Sequence, residues 1–202
     1  MRASRRSSCS PARPRRRGAA AVRDAVAGPR RERAPPVSTQ RWIPAYVGLG
    51  SNLDEPARQI TRAFEALDEL EDTQVVLRSR RYRTKPFGPV AQPDFVNAAA
   101  GLLTRLPARR LLAALKATET RLGRVPAAER WGPRRIDLDL LVYGEARIDE
   151  PGLAVPHPGL AERAFALAPL ADIAPELRVP GLGPVRDLLA AVGASDLSVL
   201  SG

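Results

Sequence analysis

The sequence is poor in the side chains that most often carry protein chemistry. Its 202 residues hold one cysteine, one histidine, one methionine and two lysines, and aromatic residues make up 4%. A single cysteine, Cys9, excludes a disulfide framework and any cysteine-based zinc site. No apolar run approaches the ~18 residues of a membrane-crossing helix. No G-x-x-x-x-G-K-S/T motif is present, which excludes a P-loop nucleotide site, and Gly48-Leu49-Gly50-Ser51 lacks the third glycine of a dinucleotide fingerprint. One histidine and one free cysteine point to a reduced, cytoplasmic chain whose chemistry comes from carboxylates, arginines and backbone.

What the sequence has in excess is arginine. The 32 Lys+Arg against 22 Asp+Glu give a net charge of +10, which by itself suggests a binder of nucleic acid or another polyanion. The charge is unevenly placed. Residues 1–40 hold eleven arginines against Asp24 and Glu32, whereas residues 41–202 hold 21 basic and 20 acidic side chains, a net +1. The first segment is rich in Arg, Pro and Ala and has too few large apolar groups to offset its ordering entropy, so it reads as a disordered extension. A nucleic-acid arm, an organellar transit peptide and a passive extension reaching ahead of the true start codon all fit it.

From Ile43 the hydrophobic pattern sharpens. The run Ile43–Leu49 reads as a buried strand. Ile60, Ala63, Phe64, Leu67 and Leu70 recur at helical spacing over Glu55–Leu70. A strand is predicted over Gln74–Tyr82, with Val75, Leu77, Ser79 and Arg81 on one side, then a Pro- and Gly-bearing loop over Thr84–Pro93. Phe95–Leu103 reads as a strand, Ala108–Leu122 as a helix closed by Gly123, Gly123–Arg134 as a charged loop and Arg135–Tyr143 as a strand. A Pro-rich turn around His157, a short helix near Arg163–Leu170 and an apolar segment over Val185–Val192 complete the chain. The order β-α-β-β-α-β suits an α+β, ferredoxin-like sandwich, an antiparallel sheet with both helices on one face, followed by a helical C-terminal extension.

The most informative stretch is Arg134-Arg135-Ile136-Asp137-Leu138-Asp139-Leu140-Leu141-Val142. In a strand, Ile136, Leu138, Leu140 and Val142 turn to the core while Arg135, Asp137 and Asp139 point the other way. Two carboxylates ~7 Å apart on one strand face can share hard cations such as Mg²⁺ and leave room for water and phosphate. A solvent-exposed strand with alternating charge reads the same way. Arg124, Arg130 and Arg134 lie just upstream with Trp131 among them, so the segment fits either a polyphosphate site or a salt-bridged surface. His157 reads as a structural hydrogen-bonder or a catalyst, and Trp131, Phe95, Phe87 and Phe165 as core or as ring contacts. Asn97, on the same strand face as Phe95, can read the edge of a planar heterocycle.

Gly48-Leu49-Gly50-Ser51-Asn52-Leu53, Tyr82-Arg83-Thr84, Gly88-Pro89, Gln92-Pro93-Asp94-Phe95-Val96-Asn97-Ala98, Glu129-Arg130-Trp131-Gly132-Pro133-Arg134, Asp137-Leu138-Asp139 and Val155-Pro156-His157 together resemble the 6-hydroxymethyl-7,8-dihydropterin pyrophosphokinase family. The matching segments run in family order across residues 44–190. The resemblance implies transfer of the β,γ-diphosphate of ATP to the pterin hydroxymethyl oxygen, with release of AMP, in folate biosynthesis. It implies two Mg²⁺ held by Asp137 and Asp139, with Arg124 and Arg134 catalytic. Arg130, His157 and Arg163, with Lys116 and Glu119, would contact ATP. Thr84, Phe87, Phe95, Asn97, Trp131 and Phe165 would form the pterin pocket. Small-molecule partners, a monomer, contact with neighbouring folate-pathway enzymes, and neither nucleic acid nor membrane are expected. Four positions depart from the family pattern: Lys85 replaces a common Pro, Lys116 a frequent Gln, Pro126 a common loop basic residue and Phe95 a frequent Tyr.

Overall fold

The apolar run after Trp42 becomes strand β1 (Ile43–Ser51), and its alternation is strict. Ala45, Val47 and Leu49 are buried on one face, while Tyr46, Gly48 and Gly50 turn to the other. The computed structural model describes residues 41–86, 91–125, 132–194 and 196–200, so the expected extension at 1–40 lies outside the described residues. Helix α1 (Pro56–Asp68) opens on a proline, whose fixed φ and missing N–H suit a first helical position. It buries Ile60, Ala63, Phe64 and Leu67 of the predicted stripe, while Leu70 lies past its end and is partly buried. There follow β2 (Thr73–Arg78), β3 (Tyr82–Thr84), β4 (Phe95–Thr104), α2 (Ala108–Arg121) and β5 (Asp137–Tyr143). The C-terminal part adds a hairpin of β6 (Ile148–Glu150) and β7 (Leu153–Val155), helix α3 (Ala164–Ile173), a second small hairpin of β8 (Arg178–Val179) and β9 (Gly183–Pro184), helix α4 (Val185–Val192) and strand β10 (Leu197–Val199).

The main sheet has the antiparallel order β10-β3-β4-β1-β5, with β2 also paired to β4. This is the predicted α+β plan. Helices α1 and α2 cover one face through a core of Ala45, Val47, Leu49, Ile60, Leu67, Leu111, Leu115 and Leu138. A second cluster, Leu141, Val142, Leu160, Leu167, Leu170 and Val185, joins α3 and α4 to the other face beside Tyr46. The C-terminal helices therefore stabilise half of the far face and leave the other half open.

Two local predictions need correction. The strand predicted over Gln74–Tyr82 is broken at residues 79–81. Ser79 still pairs with Ala99 through its backbone N–H (2.9 Å) and accepts from the Ala99 N–H on its hydroxyl (2.8 Å). Arg80 instead turns to Asp172 on α3, donating from its backbone (2.8 Å) and from its guanidinium (2.6 Å). A bulge between Val75 and Leu77 also breaks the predicted alternation, so Leu77 is left 41% exposed over Gly101. In β5 the register skips Leu141 between Val47 and Tyr46. That bulge re-aims the strand, and Val142 joins the second cluster while Tyr143 returns to the first. Among the described residues no helix is long and apolar enough to cross a membrane.

The Arg80 hydrogen bonds hold the Asp172 carboxyl below its usual range, against a smaller opposing effect of burial. A carboxyl depressed in the folded state stabilises above its unfolded value, ~3.9, and that contribution is lost as the pH falls through the folded value. Asp172→Asn should lower the melting temperature at pH 7, and the gap to the unaltered protein should close as melting is followed below pH ~4.

Candidate active site

The open half of the sheet face is prepared by the register of β1. Gly50 lies directly opposite Asn97 on β4 and Asp137 on β5, and Gly48 lies opposite Asp139. Successive side chains of β5 alternate, so Asp137 and Asp139 emerge on the glycine side while Leu138 and Leu140 enter the core. A Cβ on Gly50 would stand 3.0 Å from the Asn97 side-chain oxygen, so the strand needs glycine where the flanking polar groups converge. In front of these residues opens a cleft of ≈ 380 Å³.

One end of the cleft is amide and aromatic. Asn97 is buried and donates from Nδ2 to the Thr84 hydroxyl (2.8 Å), which fixes the orientation of its amide. Phe95 and Phe165 flank it, with the Arg134 guanidinium 5.8 Å from the Phe95 ring and Arg163 5.9 Å from Phe165. Arg163 and Phe165 enter from the start of α3, so the C-terminal extension supplies one wall.

The other end is ionic. Asp137, with 15% of its side chain exposed, receives Arg124 Nη1 at 2.5 Å and Arg134 Nη1 at 2.6 Å, and Lys116 Nζ stands 3.7 Å away. Asp139, 35% exposed, has Lys116 at 3.6 Å and His157 Nε2 at 4.0 Å. Arg124 is aimed by the end of α2: Gly123 takes a left-handed φ of 87°, and the Arg124 N–H returns to the Glu119 carbonyl (2.9 Å). Arg134 is aimed by Asn52, whose buried side chain accepts the Arg134 N–H (2.8 Å) and donates to Gln92 (3.0 Å) and the Pro93 carbonyl (3.2 Å).

Glu119 lies beneath this cluster. It is 2% exposed and accepts the Leu138 N–H (2.6 Å) and the Lys116 ammonium (2.8 Å) on one oxygen, and Arg124 (2.6 Å) on the other. Burial raises its pKa, partly offset by Lys116 and the Leu138 N–H. Burial acts to raise the Asp137 carboxyl as well, but the charges of Arg124, Lys116 and Arg134 overcome it and hold Asp137 below the carboxylate range. His157 shifts down, chiefly by burial and further by Arg163, against the pull of Asp139.

The cleft brings together Thr84, Phe95, Asn97, Lys116, Arg124, Arg134, Asp137, Asp139, His157, Arg163 and Phe165 from the sequence-based set. Glu119 does not line it and acts from below. Phe87, Arg130 and Trp131 lie outside the described residues, as does Pro126. Sequence reasoning passed over Asn52 as more than a motif letter, because its partners are 40 and 82 residues away. Gly50 had a readable signal: a glycine at the strand position facing both the D-x-D and the asparagine.

Among the described residues no group of three or more His, Cys, Asp or Glu could cage a metal. Two carboxylates with open space before them fit Mg²⁺, which keeps water and phosphate oxygens in its shell. Removing the buried Glu119 carboxylate leaves the Leu138 N–H without its acceptor and Arg124 with Asp137 as its remaining partner. Glu119→Ala should cost ~2–3 kcal/mol in denaturant unfolding, less than a wholly buried pair because Lys116 can rehydrate, and Glu119→Gln should cost clearly less.

The sequence pattern of the 7,8-dihydro-6-hydroxymethylpterin-pyrophosphokinase (HPPK) family matches residues 46–175. The 2-amino-4-hydroxy-6-hydroxymethyldihydropteridine pyrophosphokinase of Pseudomonas aeruginosa is 48% identical over 157 residues, covering 78% of this chain and 96% of that relative. The Haemophilus influenzae protein of the same name is 41% identical over 147 residues, covering 73% and 91%. Among solved structures, a Plasmodium falciparum HPPK-DHPS with pteroate superposes with a TM-score of 0.59 at 14% identity, covering 76% of this chain and 44% of that one. An HPPK-DHPS in complex with substrates gives a TM-score of 0.62 at 12% identity, over 80% of this chain and 47% of that one. This chain thus spans under half of those longer chains, and at such identity they share its fold. The family match over the strands and helices that build the cleft, with relatives near half identity along almost their whole length, places the chain in the HPPK family.

Proposed function

We propose that the ionic end of the cleft is where diphosphate is transferred and the amide-aromatic end is where the pterin binds. As a family member the chain is an ATP-dependent pyrophosphokinase: it moves the terminal diphosphate of ATP to 6-hydroxymethyl-7,8-dihydropterin and forms AMP, a step of folate biosynthesis. The observation that carries the site assignment is one cleft in which an oriented amide and two phenyl rings face a pair of carboxylates, Asp137 paired with two arginines and Asp139 beside Lys116 and His157.

In the reaction the hydroxymethyl oxygen forms a bond to the β-phosphorus, the bond between that phosphorus and the α,β-bridging oxygen breaks, and AMP leaves. The pterin supplies the nucleophile, so the protein has to position groups and neutralise charge. Thr84 takes one amide hydrogen of Asn97, and the remaining N–H and C=O read the edge of the pterin ring. Phe95 and Phe165 hold its faces. Arg124 and Arg134, paired with Asp137 before substrate arrives, turn to phosphate oxygens and stabilise the charge that grows on the transferred group. His157 donates a hydrogen bond to phosphate, and Arg163 adds charge on the same side. Asp137 and Asp139 would hold two Mg²⁺, which would supply Lewis-acid stabilisation of the charge on the transferred group. We read residues 1–40 as an appended segment outside this chemistry, and equal kcat/KM for the full chain and residues 41–202 is the expected result.

The direct test is incubation with ATP, Mg²⁺ and the pterin alcohol, with AMP as the product followed. Asp137→Ala and Asp139→Ala should each lower kcat by at least ~10²–10³ without unfolding the protein, and near-normal AMP formation by either would remove the assignment. Gly50→Ala should act at the other end of the cleft. Its methyl group displaces Asn97, so the pterin KM should rise about tenfold, the discrimination expected of one well-made polar contact, with the ATP KM little changed.

A further inference from the structure

Lys116, one of two lysines in the chain, stands where its charge has a use beyond holding a nucleotide. Its ammonium donates to Glu119 (2.8 Å) and to the Leu138 carbonyl (3.1 Å), leaving one N–H for the space before Asp137 and Asp139. The distances to the two Oδ1 atoms, 3.7 and 3.6 Å, are nearly equal. Arg124 and Arg134 each pair with Asp137, whereas Lys116 reaches both aspartates. From this geometry we propose that Lys116 holds the place of a divalent cation in the nucleotide-free enzyme, and so makes metal entry depend on the nucleotide. The proposal rests on the reading of Asp137 and Asp139 as the metal carboxylates.

An ion on those same oxygens, at the ~2.1 Å that Mg²⁺ requires, would share the space with the ammonium. A metal arriving alone must drive a paired, like-charged group from three carboxylates. A metal arriving on a triphosphate brings its own acceptors, and the ammonium can pass to phosphate oxygens. Lys116 is free to make that exchange, since 44% of its side chain is exposed, whereas Glu119 keeps Leu138 and Arg124 as partners when it leaves. The result is positive coupling between metal and nucleotide, supplied by a cation the protein carries itself.

The test is Mn²⁺ binding followed by the electron paramagnetic resonance signal of the free ion, with full-length protein, Lys116→Gln and Lys116→Met. Glutamine keeps a donor for Glu119 and removes the charge, and methionine keeps only the stem. Thermal melting checks that each variant folds. Without nucleotide, both variants should bind Mn²⁺ on the order of tenfold tighter than the unaltered protein. With α,β-methylene-ATP present, the unaltered protein should gain affinity much more than the variants do. Folded variants whose nucleotide-free Mn²⁺ affinity stays within twofold of the unaltered protein would overturn the proposal, provided all three bind Mn²⁺ in the presence of the analogue. Failure of the unaltered protein to bind Mn²⁺ even with the analogue would instead remove the metal role of Asp137 and Asp139, and the proposal with it.

Discussion

Everything at the site depends on the register of β1 between β4 and β5. The strand sends Ala45, Val47 and Leu49 into the core beneath α1 and α2, which pins its alternation, since a slip by one residue would exchange the two faces. With the alternation pinned, Gly48 and Gly50 must face outward, and antiparallel pairing sets Asn97 on one side of them and the two aspartates on the other. The hydrophobic effect that stabilises the sheet thereby also fixes the distance between the Asn97 amide and the two aspartates. No loop is asked to define that distance.

Upon this frame sits a cluster of charges that is balanced before any substrate is present. Three carboxylates, Glu119, Asp137 and Asp139, share Lys116, Arg124 and Arg134. Partly buried charges of one sign would be costly in a site that stood empty for much of its working life. Pairing them internally keeps the site folded. The chain's +10 is a poor guide to this arrangement, because nine of those charges fall in residues 1–40.

Much of this was legible in the sequence where local periodicity decides the outcome. The helical stripe of α1, the period-two pattern of β1 and the outward aspartates of β5 follow from spacing alone. The illegible parts have distant causes. The break at residues 79–81 answers to Asp172, which lies 92 residues further on, and the shift at Leu141 answers to a second core that the C-terminal helices create. Strand β10 is three residues long, too short to show a pattern, and is recruited by the exposed edge of β3. Glu119 could be placed on the correct face of α2 but not at its correct depth, because depth depends on how β5 crosses the helix. The same holds for Lys116, whose role is decided by two carboxylates on another element.

Asn52 joins connections that are far apart in the chain. Its one side chain holds Gln92 and Pro93 at the end of the segment that follows β3, and Arg134 at the end of the segment that precedes β5. Lys85 and Arg134, from the described parts of the two segments, line the cleft, and both segments are anchored to the same buried amide. A shift at either anchored end moves the amide on which the other end also bonds. Gln92 with Pro93 and Arg134 therefore share one anchor, and a substitution at Asn52 would release both at once.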